Sequence, residues 1–123
     1  MRKQFPRATV TPIAGFKGGI TAKAAMALLD PSVSPQKPDL VVIAFGLNDA
    51  AGPVNGPPTN PPAKYKEDRL TMIKKVKGAG GEVLLVSPFQ GNPFLKNGMS
   101  QRLPEYRKAL LELSKDEDVG LAD

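Results

Sequence analysis

Three residue types are missing from this 123-residue chain: cysteine, histidine and tryptophan. Without cysteine there is no disulfide framework, no thiolate metal site and no cysteine nucleophile. Without histidine the chain lacks the usual general base for a serine nucleophile and the commonest protein metal ligand. By itself, then, this polypeptide does not assemble a Ser-His-Asp triad. Aromatic residues are few, with two Tyr and five Phe. A nucleic-acid patch gathers basic residues on one element with aromatics between them. Here the net charge of +5 is spread over Arg2, Lys3, Arg7, Lys17, Lys23 and the stretches 64–77 and 102–108. That distribution reads as solvated helix faces, and no nucleic-acid partner is expected. No apolar run approaches the roughly 20 residues of a membrane helix. Gln4-Phe5-Pro6-Arg7 also denies Met1-Arg2-Lys3 the apolar stretch of a signal peptide. Neither a membrane partner nor a cellular address is expected from the sequence, and no cofactor is called for.

What is present suits one globular domain over residues 1–123. Hydrophobic residues make up 41% and charged residues 24%, ordinary values for a chain that buries a core. Residues 8–14 alternate partly apolar and β-branched and predict a short strand, pushed toward an edge by Pro12. Gly15 to Gly19 form a turn. Thr21 opens an Ala-rich helix over 22–29, closed by the Pro/Ser segment 30–35. Leu40-Val41-Val42-Ile43-Ala44-Phe45 predicts a strand covered on both faces. A Pro/Gly/Asn-rich loop runs from Gly46 to Pro62, and loops of that length are often functional.

An amphipathic helix follows over 63–77, its stripe formed by Tyr65, Met72 and Val76, with Leu70 and Ile73 beside it. Asp68 and its charged neighbours are placed largely off that stripe. Glu82 to Val86 predicts another buried strand. Pro104 fits the first turn of a third helix, with Tyr106, Ala109, Leu110 and Leu113 on its apolar face. Residues 119–123 begin a further strand. The order β-α-β-α-β-α-(β) predicts an α/β fold with a mostly parallel sheet and helices on both faces. In such folds ligands bind beyond the carboxyl ends of the strands, where both glycine-rich segments fall.

The most informative tetrapeptide is Gly46-Leu47-Asn48-Asp49, directly after the apolar strand. Gly46 lets the backbone turn sharply at the strand exit. The amide of Asn48 is a neutral donor of the kind that stabilises an oxyanion in acyl transfer. All three residue types are also turn formers, so a plain turn stands beside that reading. Ser87 ends a strand on the functional edge, but hydrogen bonding within its turn accounts for it. No Ser-x-x-Lys pair offers a substitute nucleophile and base.

Residues 38–50, Pro-Asp-Leu-Val-Val-Ile-Ala-Phe-Gly-Leu-Asn-Asp-Ala, resemble the third conserved block of the SGNH (GDSL-type) ester hydrolases. Gly18-Gly19-Ile20-Thr21-Ala22 resembles the second block, and by its Gly-x-Thr spacing Gly19 takes the place of the oxyanion N–H donor. Residues 82–88 and 119–123 are similar to the family's fourth strand and its approach to the fifth.

The resemblance implies a flavodoxin-like, three-layer α/β/α fold with sheet order 2-1-3-4-5. It also implies ester hydrolysis through an acyl-serine, acting on a small-molecule ester or an acylated sugar, as in carbohydrate acetylesterases and lipase-like enzymes. Asn48 and Gly19 would form the oxyanion hole, with Gly46 and Asp49 bracing its loop.

Nothing in the chain matches the Gly-Asp-Ser block of the first strand or the Asp-x-x-His block after the fifth. The expectation is an incomplete domain that keeps oxyanion residues and does not turn over esters alone. A non-catalytic module binding a small molecule or carbohydrate in the same crevice is the alternative. Because the absent first strand is central, the exposed sheet edge is expected to favour self-association.

Overall fold

The computed structural model describes residues 9–13, 15, 17–89, 94 and 98–123. Three strands form one parallel sheet in the order β1-β2-β3: Leu40–Ala44, Glu82–Val86 and Gly120–Ala122. Leu40 pairs with Glu82 and Ala44 with Val86 along β1 and β2, while Leu84 and Val86 pair with Gly120 and Ala122. Four α-helices alternate with them: α1 (Ala22–Leu28), α2 (Leu47–Ala50), α3 (Pro62–Gly78) and α4 (Gly98–Asp116). The α/β alternation expected from the sequence is therefore present.

Side-chain alternation divides the sheet into two unlike faces. Ile43, Val83 and Leu85 are buried, and they share one apolar cluster with Ala22, Ala25, Ala50, Tyr65, Met72, Ile73, Val76, Leu103, Tyr106 and Leu110. All four helices contribute to that cluster. On the opposite face Leu40 is 49% exposed and Val42 56% exposed. Ala44 and Ala122 are also exposed, and Leu84 and Val86 only half-buried. The expectation that the 40–45 strand is covered on both faces is thus corrected. Its apolar run is the composition of a strand made for two layers, yet the described helices supply one.

The strand expected over 8–14 is also corrected. Residues 9–13 are exposed and belong to no sheet, whereas Ala8 and Ala14 lie outside the described residues. β1 pairs only with β2 among the described residues. A strand's ladder bonds come from a neighbouring strand, and among the described residues none pairs with 9–13.

Thr21 caps α1 as expected, its Oγ1 accepting from Ala24 N at 3.2 Å. The chain then continues through a π-helical turn (Leu29–Val33) and a 3₁₀ turn (Ser34–Gln36) rather than stopping. α3 runs one residue beyond each end of the predicted helix. α4 begins at Gly98, so Pro104 lies inside it instead of in its first turn. A helix tolerates that at the loss of one ladder bond where its apolar face is well anchored. Leu103, Tyr106, Leu110 and Leu113 supply the anchor.

Candidate functional site

β1 ends below Gly46, whose φ of 136° lies outside the range side chains adopt readily. A Cβ there would stand 3.1 Å from Pro88 Cγ and 3.4 Å from the Tyr65 hydroxyl, so this exit is also crowded. The chain turns at once into α2, a single helical turn that carries Asn48 and Asp49. Asn48 is exposed, and its Nδ2 donates to the carbonyl of Ile20 at 3.1 Å. Ile20 directly follows Gly19, which is exposed with φ 76° and open space where a Cβ would stand. The Gly18-Gly19 turn and the β1 exit, 28 residues apart in sequence, are therefore joined by the Asn48 amide.

Asp49 faces the other way. It is fully buried, and both its carboxylate oxygens accept from Ala22 N, at 2.9 and 3.2 Å. That N–H belongs to the first turn of α1, where helical donors lack an internal partner and a negative charge is favoured. Asn60, 4% exposed, donates from Nδ2 to Asp49 Oδ1 at 2.9 Å and to Asp68 Oδ2 at 3.0 Å. The Asn60 N–H also reaches Asp49 O at 3.0 Å. The Tyr106 hydroxyl lies 2.5 Å from Asn60 O and 3.2 Å from Asp49 O. Burial first, and the Asp49 carboxylate second, push the Tyr106 phenol up to about 12. Tyr65 is raised as well, again chiefly by burial.

The loop between α2 and α3 is pinned rather than loose. Arg102 Nη1 donates to Ala50 O at 3.1 Å, and Nη2 to Pro53 O at 2.5 Å and Gly56 O at 2.6 Å. Thr59 N closes back onto Ala51 O at 2.6 Å. Ser87 uses its N–H on Ala122 O at 2.9 Å, so it serves the turn after β2.

Each residue singled out in the sequence thus has a definite place. Asn48 and Gly19 lie on adjacent turns at the carboxyl end of the sheet, Gly46 forms the strand exit, and Asp49 sits beneath them. Missed were Asn60, Asp68, Arg69, Tyr106 and Arg102. Asp68 and Arg69, set among the exposed charges of α3, are 2% and 0% exposed. The signal for them is the spacing: 65, 68, 69, 72, 73 and 76 form one helical stripe, in which two charged residues stand among apolar ones. Among the described residues no cluster of acidic side chains suits a metal ion.

No family model matches this sequence, and no curated protein matches it. Solved structures do. One is a lipase/acylhydrolase from Enterococcus faecalis, at TM-score 0.69 and 27% identity over 85% of this chain and 51% of that one. A second is an acetylxylan esterase from Geobacillus stearothermophilus, at TM-score 0.72 and 22% identity over 85% of this chain and 50% of that one. A third comes from Desulfitobacterium hafniense and is described as lipolytic, of the G-D-S-L family. It matches at TM-score 0.69 and 18% identity over 84% of this chain and 53% of that one. The chain spans about half the length of the solved structures it matches.

Proposed function

From a chain with the SGNH (GDSL-type) hydrolase fold, we propose that residues 18–62 form the oxyanion-binding side of an ester hydrolase site. The Gly19 N–H and the Asn48 amide are the two donors, Gly46 sets the exit angle, and Asp49 braces the turn by holding the start of α1. As a carbonyl is attacked, negative charge gathers on its oxygen. Neutral donors fixed beforehand lower that barrier without reorganising, and each is worth about 10²–10³ in rate.

One observation carries the reading: Asn48 Nδ2 stands 3.1 Å from the carbonyl of Ile20, the residue after Gly19. That contact brings the two sequence blocks to one point of the sheet's rim. One amide hydrogen is used there, and an amide nitrogen carries two. These 123 residues contain no histidine and no Gly-Asp-Ser block, so the proposed site takes its histidine base and its Gly-Asp-Ser nucleophile from elsewhere. The substrate class favoured by the acetylxylan esterase likeness is an acetylated sugar, with a simple acyl ester as the minimal version.

The test is a chimera in which this chain replaces the matching half of the Geobacillus esterase. Hydrolysis of p-nitrophenyl acetate by the chimera, cut about 10²-fold in kcat by Asn48→Ala, is expected. A folded chimera that is inactive, or one indifferent to Asn48→Ala, refutes the proposal. Binding of acetylated xylo-oligosaccharide without turnover would favour the carbohydrate-binding module instead.

A further inference from the structure

The parallel ladder between β1 and β2 has a gap at the point where it matters for the site. Its register pairs Leu40 with Glu82 and Ala44 with Val86, and Glu82 N donates to Asp39 O at 2.8 Å. In a parallel pair the donors then recur every second residue. The carbonyls of Asp39, Val41, Ile43 and Phe45 call in turn on the N–H groups of positions 82, 84, 86 and 88. Position 88 is proline, which has no N–H. The Phe45 carbonyl, last before Gly46, is therefore denied its strand partner by the sequence itself.

Two side chains from α3 fill the place. The Tyr65 hydroxyl donates to Phe45 O at 3.0 Å, and Arg69 Nη2 donates to the same oxygen at 3.0 Å. Arg69 Nη2 also lies 3.1 Å from the Tyr65 oxygen, so the three groups form a closed triangle. The Arg69 guanidinium stands 5.1 Å from the centroids of both the Phe45 and the Tyr65 rings. It is fully buried, yet Nε and Nη1 have no hydrogen-bond partner, and no ion pair forms with it among the described residues. A buried cation without a carboxylate is a poor device for stability, because desolvation is not repaid. Its geometry points to another use.

We infer that Tyr65 and Arg69 are positioning residues: they replace the missing ladder donor at Phe45 and so fix the direction in which Gly46, Leu47 and Asn48 leave the sheet. Pro88 leaves that rung without a backbone donor and packs against Gly46. Two converging donors then hold the carbonyl from the helix side. The role serves the proposed oxyanion donor Asn48 and deepens that reading, but it is measured without any ester.

The experiment uses ¹⁵N relaxation on the chain itself. In the Tyr65→Phe/Arg69→Met variant, backbone order parameters at 46–48 are expected to fall from about 0.85 to below about 0.6. Adding Pro88→Ala supplies a backbone N–H at the vacant rung and is expected to restore them. A purely structural role for the pair does not predict that rescue. Unchanged order parameters in the folded double variant, or no recovery with Pro88→Ala, overturn the inference. Should the double variant not fold, Arg69→Lys and Tyr65→Phe are read singly by the same criterion. An inactive chimera leaves this result intact, and rigid order parameters here leave the chimera result intact, so the two failures are distinct.

Discussion

The carboxylates of Asp49 and Asp68, carried by different helices, meet at a single nitrogen: Asn60 Nδ2 lies 2.9 Å from one and 3.0 Å from the other. Both acids are buried, and buried carboxyl oxygens need hydrogen-bond partners. The two amide protons of Asn60 bridge the pair, beside the Ala22 N–H on Asp49 and Lys64 Nζ 3.7 Å from Asp68. Asn60→Ala removes both at once, leaving Asp49 with the Ala22 N–H and Asp68 with Lys64 Nζ. A loss of about 3 kcal/mol is expected, the cost of two hydrogen bonds to buried carboxyl groups, read from urea unfolding midpoints at pH 7. A loss below about 0.5 kcal/mol would show that the bridge carries no weight.

The chain has two tyrosines and no tryptophan, so its ultraviolet absorbance titrates Tyr65 and Tyr106 alone. Both phenols are held above their ordinary value, Tyr106 at about 12, chiefly by burial. A raised acid binds its proton more tightly in the folded chain than in the unfolded one. The stability this contributes is whole below about pH 10 and is lost as pH climbs toward 12. At pH 10, absorbance at 295 nm is expected to show less than half of the tyrosine ionised, with melting temperature falling above that pH. Half-ionisation of either residue at pH 10 would contradict the burial seen here.

Val42 and Leu40 lie 56% and 49% exposed on a sheet face that no described helix covers, along an edge strand of the described sheet. Exposed apolar strands associate. Sedimentation velocity on the isolated chain is expected to show mass rising with concentration, and Val42→Lys is expected to return it to monomer. A concentration-independent monomer would dispose of the idea.

Arg102 ties Ala50, Pro53 and Gly56 by their carbonyls. Charge-assisted bonds of this kind are each worth about 1.5–3 kcal/mol. Replacing the guanidinium with an apolar side chain of similar length should release the loop without opening the core. In Arg102→Met, amide exchange at Gly56 and Thr59 is expected to quicken by roughly tenfold or more, with exchange in β2 unchanged. Equal acceleration in both places would mean global loosening instead.

The amino-acid sequence determined the alternation of strands and helices, because an apolar β-branched run such as 40–44 and a 3.6-residue stripe such as 65–76 are local patterns. It also determined that Gly46 and Gly19 are turning points and that a histidine-dependent triad is beyond this chain, facts of residue identity. The meeting of Asn48 with the Gly19 turn was legible only as two separate blocks, since nothing along the chain states which loops share a rim.

Tertiary structure alone decided the rest. Among the described residues one face of β1 is bare and 9–13 pair with no strand, outcomes set by which elements lie side by side. It buried Asp68 and Arg69, which local charge had assigned to solvent, because the helix turned them toward Asn60 and Phe45. Burial is a property of the neighbours a residue acquires, and for a polar side chain that depends on partners many positions away.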